Sequence, residues 1–195
     1  MEKLPLDFYK EPTLTVAKGL LGKVIVVKDV DSIISGKIVE TEAYISGEDK
    51  ACHASWRKKT SCENLWESGG IIYVYLTYGM HYMLNIVTEK DGFPSAVLIR
   101  AVEPLEGMYI MMQNRNTENV LNLTSGPAKL TKAFGIGKSF NGESLLTGRI
   151  HIEDRNFLVK KVISTRRIGI DYAKEPWKSI KWRFYQEDSL FVSRK

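Results

Sequence analysis

Between residues 36 and 44 the side chains alternate in a way that predicts a β-strand, with Ile38, Glu40, Glu42 and Tyr44 on one face and Val39, Thr41 and Ala43 on the other. The compact β-branched run 24–27 predicts a strand before it, and the Asp- and Ser-containing stretch 29–35 a turn or short hairpin loop. Residues 71–77 and 83–88 predict a hairpin around Gly79, 96–102 an apolar strand carrying Arg100, and 149–153 another strand. Helices are fewer. Pro12 and Gly22 bracket one over 13–21, Pro104 starts one reaching about Arg115, and Gly126-Pro127 opens one ending near Gly135 or Gly137.

Residues 45–70 are polar and irregular, a connection long enough in a compact domain to suggest function. Residues 116–124 read as a loop, Asn141-Gly142 as a turn and Arg166-Arg167 as a basic loop; the tail 176–185 gathers Trp177, Trp182, Phe184 and Tyr185. Strands arrive in hairpins rather than alternating with helices. The expected fold class is therefore α+β, a single domain over 1–195 with a mostly antiparallel β-sheet and surrounding helices.

Composition changes this picture little. The chain has 195 residues, 44% hydrophobic and 26% charged, enough for a sizeable core. A net charge of +5 favours an anionic partner such as nucleic acid without requiring one. Cys52 and Cys62 are too few for a disulfide framework and read as reduced thiols. No charged-then-apolar leader and no membrane-length apolar run occurs, so a cytoplasmic location is expected (nucleoid-associated in a bacterium, nuclear in a eukaryote), with no membrane contact.

Candidate chemistry centres on Glu42. Beside apolar and aromatic neighbours a carboxylate can be partly desolvated and become a better proton acceptor; alternatively it is a solvent-facing strand residue. Glu40 lies two residues away, which leaves open the two-carboxylate arrangement of sugar hydrolysis. Tyr44, Tyr73, Tyr75, Tyr78 and Tyr82 read as core aromatics, except that Tyr78 falls at the hairpin tip, where an exposed ring suggests a partner and could wedge between base steps. His53 reads as a ligand-side or surface histidine. Cys52, His53 and Cys62 fit no familiar zinc spacing, so no metal is expected, and without a phosphate or dinucleotide fingerprint no cofactor is either. Lys129 and Lys132, one turn apart, could line a phosphate track with Arg166, Arg167, Lys178, Lys181 and Arg183, or be scattered solvated charges.

In order along the chain, Leu20-Leu-Gly-Lys-Val24, residues 36–44, Glu48-Asp49 with His53, residues 73–80 with Asn85, residues 98–107, Ser125-Gly-Pro-Ala-Lys-Leu130 and Arg183-Phe-Tyr185 resemble the alkyladenine (3-methyladenine) DNA glycosylase family. The resemblance implies a protruding β-hairpin that inserts into DNA, and a damaged purine flipped out of double-stranded DNA. It implies that Glu42 activates the water attacking the sugar and that Arg100 holds water and acid. Tyr44, His53 and Tyr75 would line the pocket, Asn85 would reject guanine by clashing with its 2-amino group, and Leu98 would pack nearby. Tyr78 would fill the vacated stack, with Met80, Thr60 and Lys129 also meeting DNA. The implied activity is monofunctional excision, by a monomer, of 3-methyladenine, 7-methylguanine, hypoxanthine and ethenoadenine in base excision repair. One departure stands out. Where the family often shows Thr-x-Arg-Asn-x-x-Met, this chain keeps Thr60 but has Cys62, Glu63 and Trp66, losing a cation expected beside DNA. Two other readings are a non-catalytic nucleic-acid binder, indifferent to Glu42, and a metal-dependent hydrolase built on Cys52, His53 and Cys62.

Overall fold

The computed structural model describes residues 2–30 and 32–195. Its strands are β1 (Glu2–Lys3), β2 (Val24–Lys28), β3 (Ile33–Tyr44), β4 (Ile72–Thr77), β5 (His81–Thr88), β6 (Ser95–Glu106), β7 (Ile150–Asp154), β8 (Val162–Thr165) and β9 (Arg183–Gln186). They form one antiparallel sheet in the order β1-β7-β2-β3-β6-β5-β4, with β9 beside β3 and β8 beside β9. The helices are α1 (Leu6–Lys10), α2 (Thr13–Gly19), α3 (Met108–Arg115) and α4 (Pro127–Ala133). The α+β reading with a mostly antiparallel sheet holds.

The core lies between the sheet and the four helices, α1 contributing Tyr9. Val16 and Ala17 of α2, Met111 of α3 and Leu130 of α4 pack with Ile25, Ile38, Leu84, Ile99 and Ile152 of the sheet. Each large side chain so buried contributes about 1.5–3 kcal/mol. One face of the sheet is thereby committed to this core; the other carries a smaller apolar cluster around Leu65, Tyr73, Val87 and Ala96 together with buried polar side chains.

Several boundaries differ from the sequence reading. Pro104 does not start a helix: β6 runs through it to Glu106, opposite Gly36 at a register shift, where a missing N–H is tolerated. Helix α3 begins only after Gly107, whose φ of +74° turns the chain and whose added Cβ would lie 2.6 Å from the Ile33 carbonyl. The turn expected over 29–35 is shorter, since β3 already begins at Ile33; Asp31 lies outside the described residues. The second hairpin strand starts at His81 rather than at residue 83.

Strand β3 also breaks its own alternation. Register shifts flank Glu40: Ile38 pairs Val102, Glu40 pairs Ala101 and Thr41 pairs Ile99. Val39 and Arg100 are thus the unpaired residues of two offsetting irregularities. As a result Ile38 packs in the same core as Ala43, not on the Glu42 face as its spacing suggests. Such bulges re-aim side chains. Here they leave Glu40, Glu42 and Arg100 together on the sheet face away from the core.

Candidate active site

Glu42 is fully buried, and both of its oxygens are occupied. Oε1 accepts the Ile168 backbone N–H at 2.7 Å. Oε2 accepts the Tyr44 hydroxyl at 2.8 Å and lies 3.3 Å from Arg100 Nη1. An ionised carboxylate has about four acceptor positions, so these three donors leave roughly one for a water. Every neighbour donates to this carboxylate: a hydroxyl, a backbone N–H and a guanidinium.

Glu40 has a different role from Glu42. Its Oε1 accepts Arg100 Nε at 2.9 Å, Arg183 Nε at 2.7 Å and the Ser193 hydroxyl at 2.8 Å, and its Oε2 accepts the Ser193 N–H at 2.7 Å. Burial alone would raise this carboxyl, but the Arg100 and Arg183 charges outweigh it and hold it below the ordinary carboxylate range. An acid so held cannot donate a proton near neutrality, which removes the two-carboxylate reading. Arg100 spans both glutamates, and its own burial, which disfavours the cation, is overcome by Glu42 and Glu40.

In front of this network opens a cavity of about 370 Å³. Tyr44, Arg100 and Ile168 line it and Glu42 does not, so Glu42 sits one layer behind the surface, behind its own hydrogen-bond partners. Of the sequence-expected pocket residues, Tyr44, His53, Tyr75, Asn85, Leu98 and Arg100 all line it. Tyr73 lines it too; its hydroxyl lies 2.9 Å from His53 Nδ1, and its ring stacks on Tyr75 with centroids 5.4 Å apart. The His53 and Tyr75 rings meet at 4.3 Å. Asn85 is held by its amide, which donates to the Tyr73 carbonyl at 3.1 Å.

Burial, and after it the Arg57 charge, pushes the His53 imidazole down from 6.5 to about 3. The unfolded chain therefore takes up this proton near pH 6.5 and the folded chain does not until about pH 3. Stability is full above that window and falls as pH drops through it, with a slope approaching about 1.4 kcal/mol per pH unit. His53→Gln is expected to flatten this slope between pH 6.5 and 4.5, above the range where loss of the Glu40 charge contributes. Chemical denaturation across that range measures it, and an unchanged slope would show that His53 does not carry the effect.

The hairpin tip is a tight turn. The Met80 N–H donates to the Thr77 carbonyl at 3.2 Å, and Tyr78 and Gly79 have φ of +51° and +68°. A positive φ is unfavourable for a bulky aromatic. The Tyr78 ring is 86% exposed and Met80 70% exposed, on opposite sides of Gly79 in sequence. Thr60 is exposed on a short 3-10 turn (Lys59–Ser61) of the 45–70 connection and does not reach the cavity. The Lys129 ammonium donates to Asn122 and, at 3.5 Å, to Ser125.

The basic track is not assembled as a surface. Arg167 is buried and forms a two-point ion pair with Asp49 at 2.7 and 2.8 Å, also donating to the Ala43 and Trp177 carbonyls. Its guanidinium backs the Tyr44 ring at 4.7 Å. Arg183 is consumed by Glu40, and Lys178 pairs with Asp171. Burial requires pairing, and two cations that look solvated in the sequence are internal counter-ions. Cys62, at the departure from the family pattern, is buried beside Leu65 and Tyr73, while Glu63 is exposed. Cys52, His53 and Cys62 do not converge: among the described residues no three His, Cys, Asp or Glu could hold a metal ion. Sequence reasoning gave no role to Arg57, Ile168 and Ser193, read Tyr73 as a core aromatic and placed Asp49 only within a motif; the Ile168 contribution is a backbone N–H and leaves no signature in residue type.

The family model for Methylpurine-DNA glycosylase matches residues 7–190. Relatives carrying the name "Putative 3-methyladenine DNA glycosylase" include one from Desulfitobacterium hafniense, 44% identical with all of both chains covered. Another, from Methanocella arvoryzae, is 46% identical over all of this chain and 98% of the relative. A third, from Chlorobium phaeobacteroides, is 45% identical over all of this chain and 97% of the relative. The aromatic cavity, its carboxylate–guanidinium backing and this full-length match agree: the chain belongs to the methylpurine-DNA glycosylase family of enzymes.

Proposed function

We propose that the 195 residues act as one monomeric, monofunctional DNA glycosylase domain that releases damaged purines, 3-methyladenine and 7-methylguanine among them, from double-stranded DNA. The observation that carries this reading is the Glu42 carboxylate, hydrogen-bonded by Tyr44 and the Ile168 N–H and ion-paired with Arg100, directly behind a purine-sized aromatic cavity. A purine turned out of the helix enters against Tyr44 and Tyr75, with Asn85 placed to exclude a 2-amino group. Arg167 backs the far face of Tyr44, so that ring is a rigid platform. Water placed between Tyr44 and Arg100 loses a proton to Glu42 and attacks C1′. The C1′–N bond breaks and its electron pair leaves with the base. A cationic alkylpurine already has a weak bond and is drawn to electron-rich ring faces. No amine attacks the sugar, so the strand is left uncut.

Tyr78 takes the place of the extruded nucleotide, with Met80 beside it, and Thr60 and Lys129 meet the backbone. Tyr78→Asn is expected to act in opposite directions on the two readouts. Asn accepts the left-handed turn, so thermal stability should rise by up to about 1 kcal/mol, while base release falls because nothing holds the gap open. A variant that is both more stable and fully active would remove Tyr78 from this role. The overall reading is tested by release of 3-methyladenine or 7-methylguanine from methylated duplex by the purified protein with no metal added. Binding without release would favour the non-catalytic alternative.

A further inference from the structure

The connection after His53 places a second guanidinium in the cavity wall, that of Arg57. Arg100, the other arginine there, is neutralised by two glutamates. Arg57 is not: no ion pair or hydrogen bond joins its side chain to any other described residue, although it is half-buried. It lies against aromatic faces instead, 5.0 Å from the Trp56 ring centre and 5.5 Å from that of Tyr75. Its charge reaches His53, Tyr73, Tyr75 and Tyr172, all on the cavity wall. A net positive charge thus stands beside the ring on which the purine stacks.

We propose that Arg57 is a specificity-determining residue that favours lesions entering as neutral purines over those entering as cations. The inference rests on the glycosylase reading and adds lesion selection to it. When a neutral base such as hypoxanthine departs, the C1′–N9 electron pair stays on the purine, which leaves as an anion. The water's oxygen bonds to C1′, its proton goes to Glu42, and a proton from solvent later neutralises the released base. No side chain in the cavity is an evident acid for protonating the leaving group beforehand: Glu40 is held ionised and burial keeps His53 neutral. A fixed cation stabilises the departing anion without any proton transfer. The same cation opposes entry of 7-methylguanine, which is positively charged before cleavage. Two unit charges separated by a ring's width in a partly buried site shift a rate on the order of tenfold or more. Stacked arginine keeps its place because a weakly hydrated planar guanidinium loses little by leaving water.

The test is single-turnover excision, with enzyme in excess, from duplexes holding one hypoxanthine or one 7-methylguanine. Arg57→Gln is expected to lower the hypoxanthine-to-7-methylguanine rate ratio about tenfold or more, and Arg57→Lys to restore most of it. Equal losses on both substrates with a flatter salt dependence of binding would make Arg57 a phosphate contact and overturn the proposal. An unchanged ratio in a variant that still excises 7-methylguanine overturns it directly. If the unmodified protein releases neither base, the glycosylase reading itself fails, a result separable from the other two.

Discussion

Glu42→Gln is expected to abolish measurable base release while the protein still binds damaged duplex. The substitution preserves size and leaves an oxygen to accept the Ile168 N–H, so the wall of the cavity should stand. What disappears is the proton acceptor, and positioned general bases contribute about 10²–10⁴-fold. The loss should be larger on neutral lesions than on cationic ones, whose glycosidic bond needs less help. Single-turnover release and band-shift binding measured on the same preparation separate the two effects. Full activity in this variant would exclude Glu42 as the base, whatever its surroundings.

The second large effect concerns stability. Glu40→Ala should cost about 3–5 kcal/mol, because it strips the shared counter-ion from two buried guanidiniums at once and frees the Ser193 backbone N–H. For a chain of this length that is roughly 10 °C or more in Tm. Activity should also fall, since Arg100 loses the partner that fixes its Nε and with it the aim of Nη1 at Glu42. Differential scanning calorimetry gives the first readout. A Tm within about 2 °C of the parent would mean that the buried network relaxes around the loss, and Glu40 would then not be the keystone of the site.

These two glutamates show what the sequence could and could not disclose. Two residues apart on one strand, they have the same local pattern, and nothing in their neighbours along the chain assigns the base to one and the counter-ion to the other. The distinction comes from partners 60 to 153 positions away: Arg100 and Arg183 around Glu40, and the Ile168 N–H, 126 positions on, against Glu42. Arg167 makes the same point in reverse. As one of two adjacent arginines it looks like a solvated basic loop, but tertiary packing closes it over Asp49 and under Tyr44.

The sequence by itself determined the strands at 24–27, 71–77 and 96–102, the helices begun by Pro12 and by Gly126-Pro127, the hairpin tip at Tyr78 and the family. These depend on short-range causes: β-branched runs, proline and glycine geometry, and an ordered set of motifs. Only the tertiary structure decided that Pro104 lies within a strand, that Ile38 turns to the core while Glu40 and Glu42 do not, and that Arg57 lines the cavity with no ion-pair partner among the described residues. The physical reason is that register shifts and ion pairs are agreements between distant segments. Alternation predicts a side chain's face only while the ladder stays regular, and a charge's surroundings are known only once the chain has folded around it.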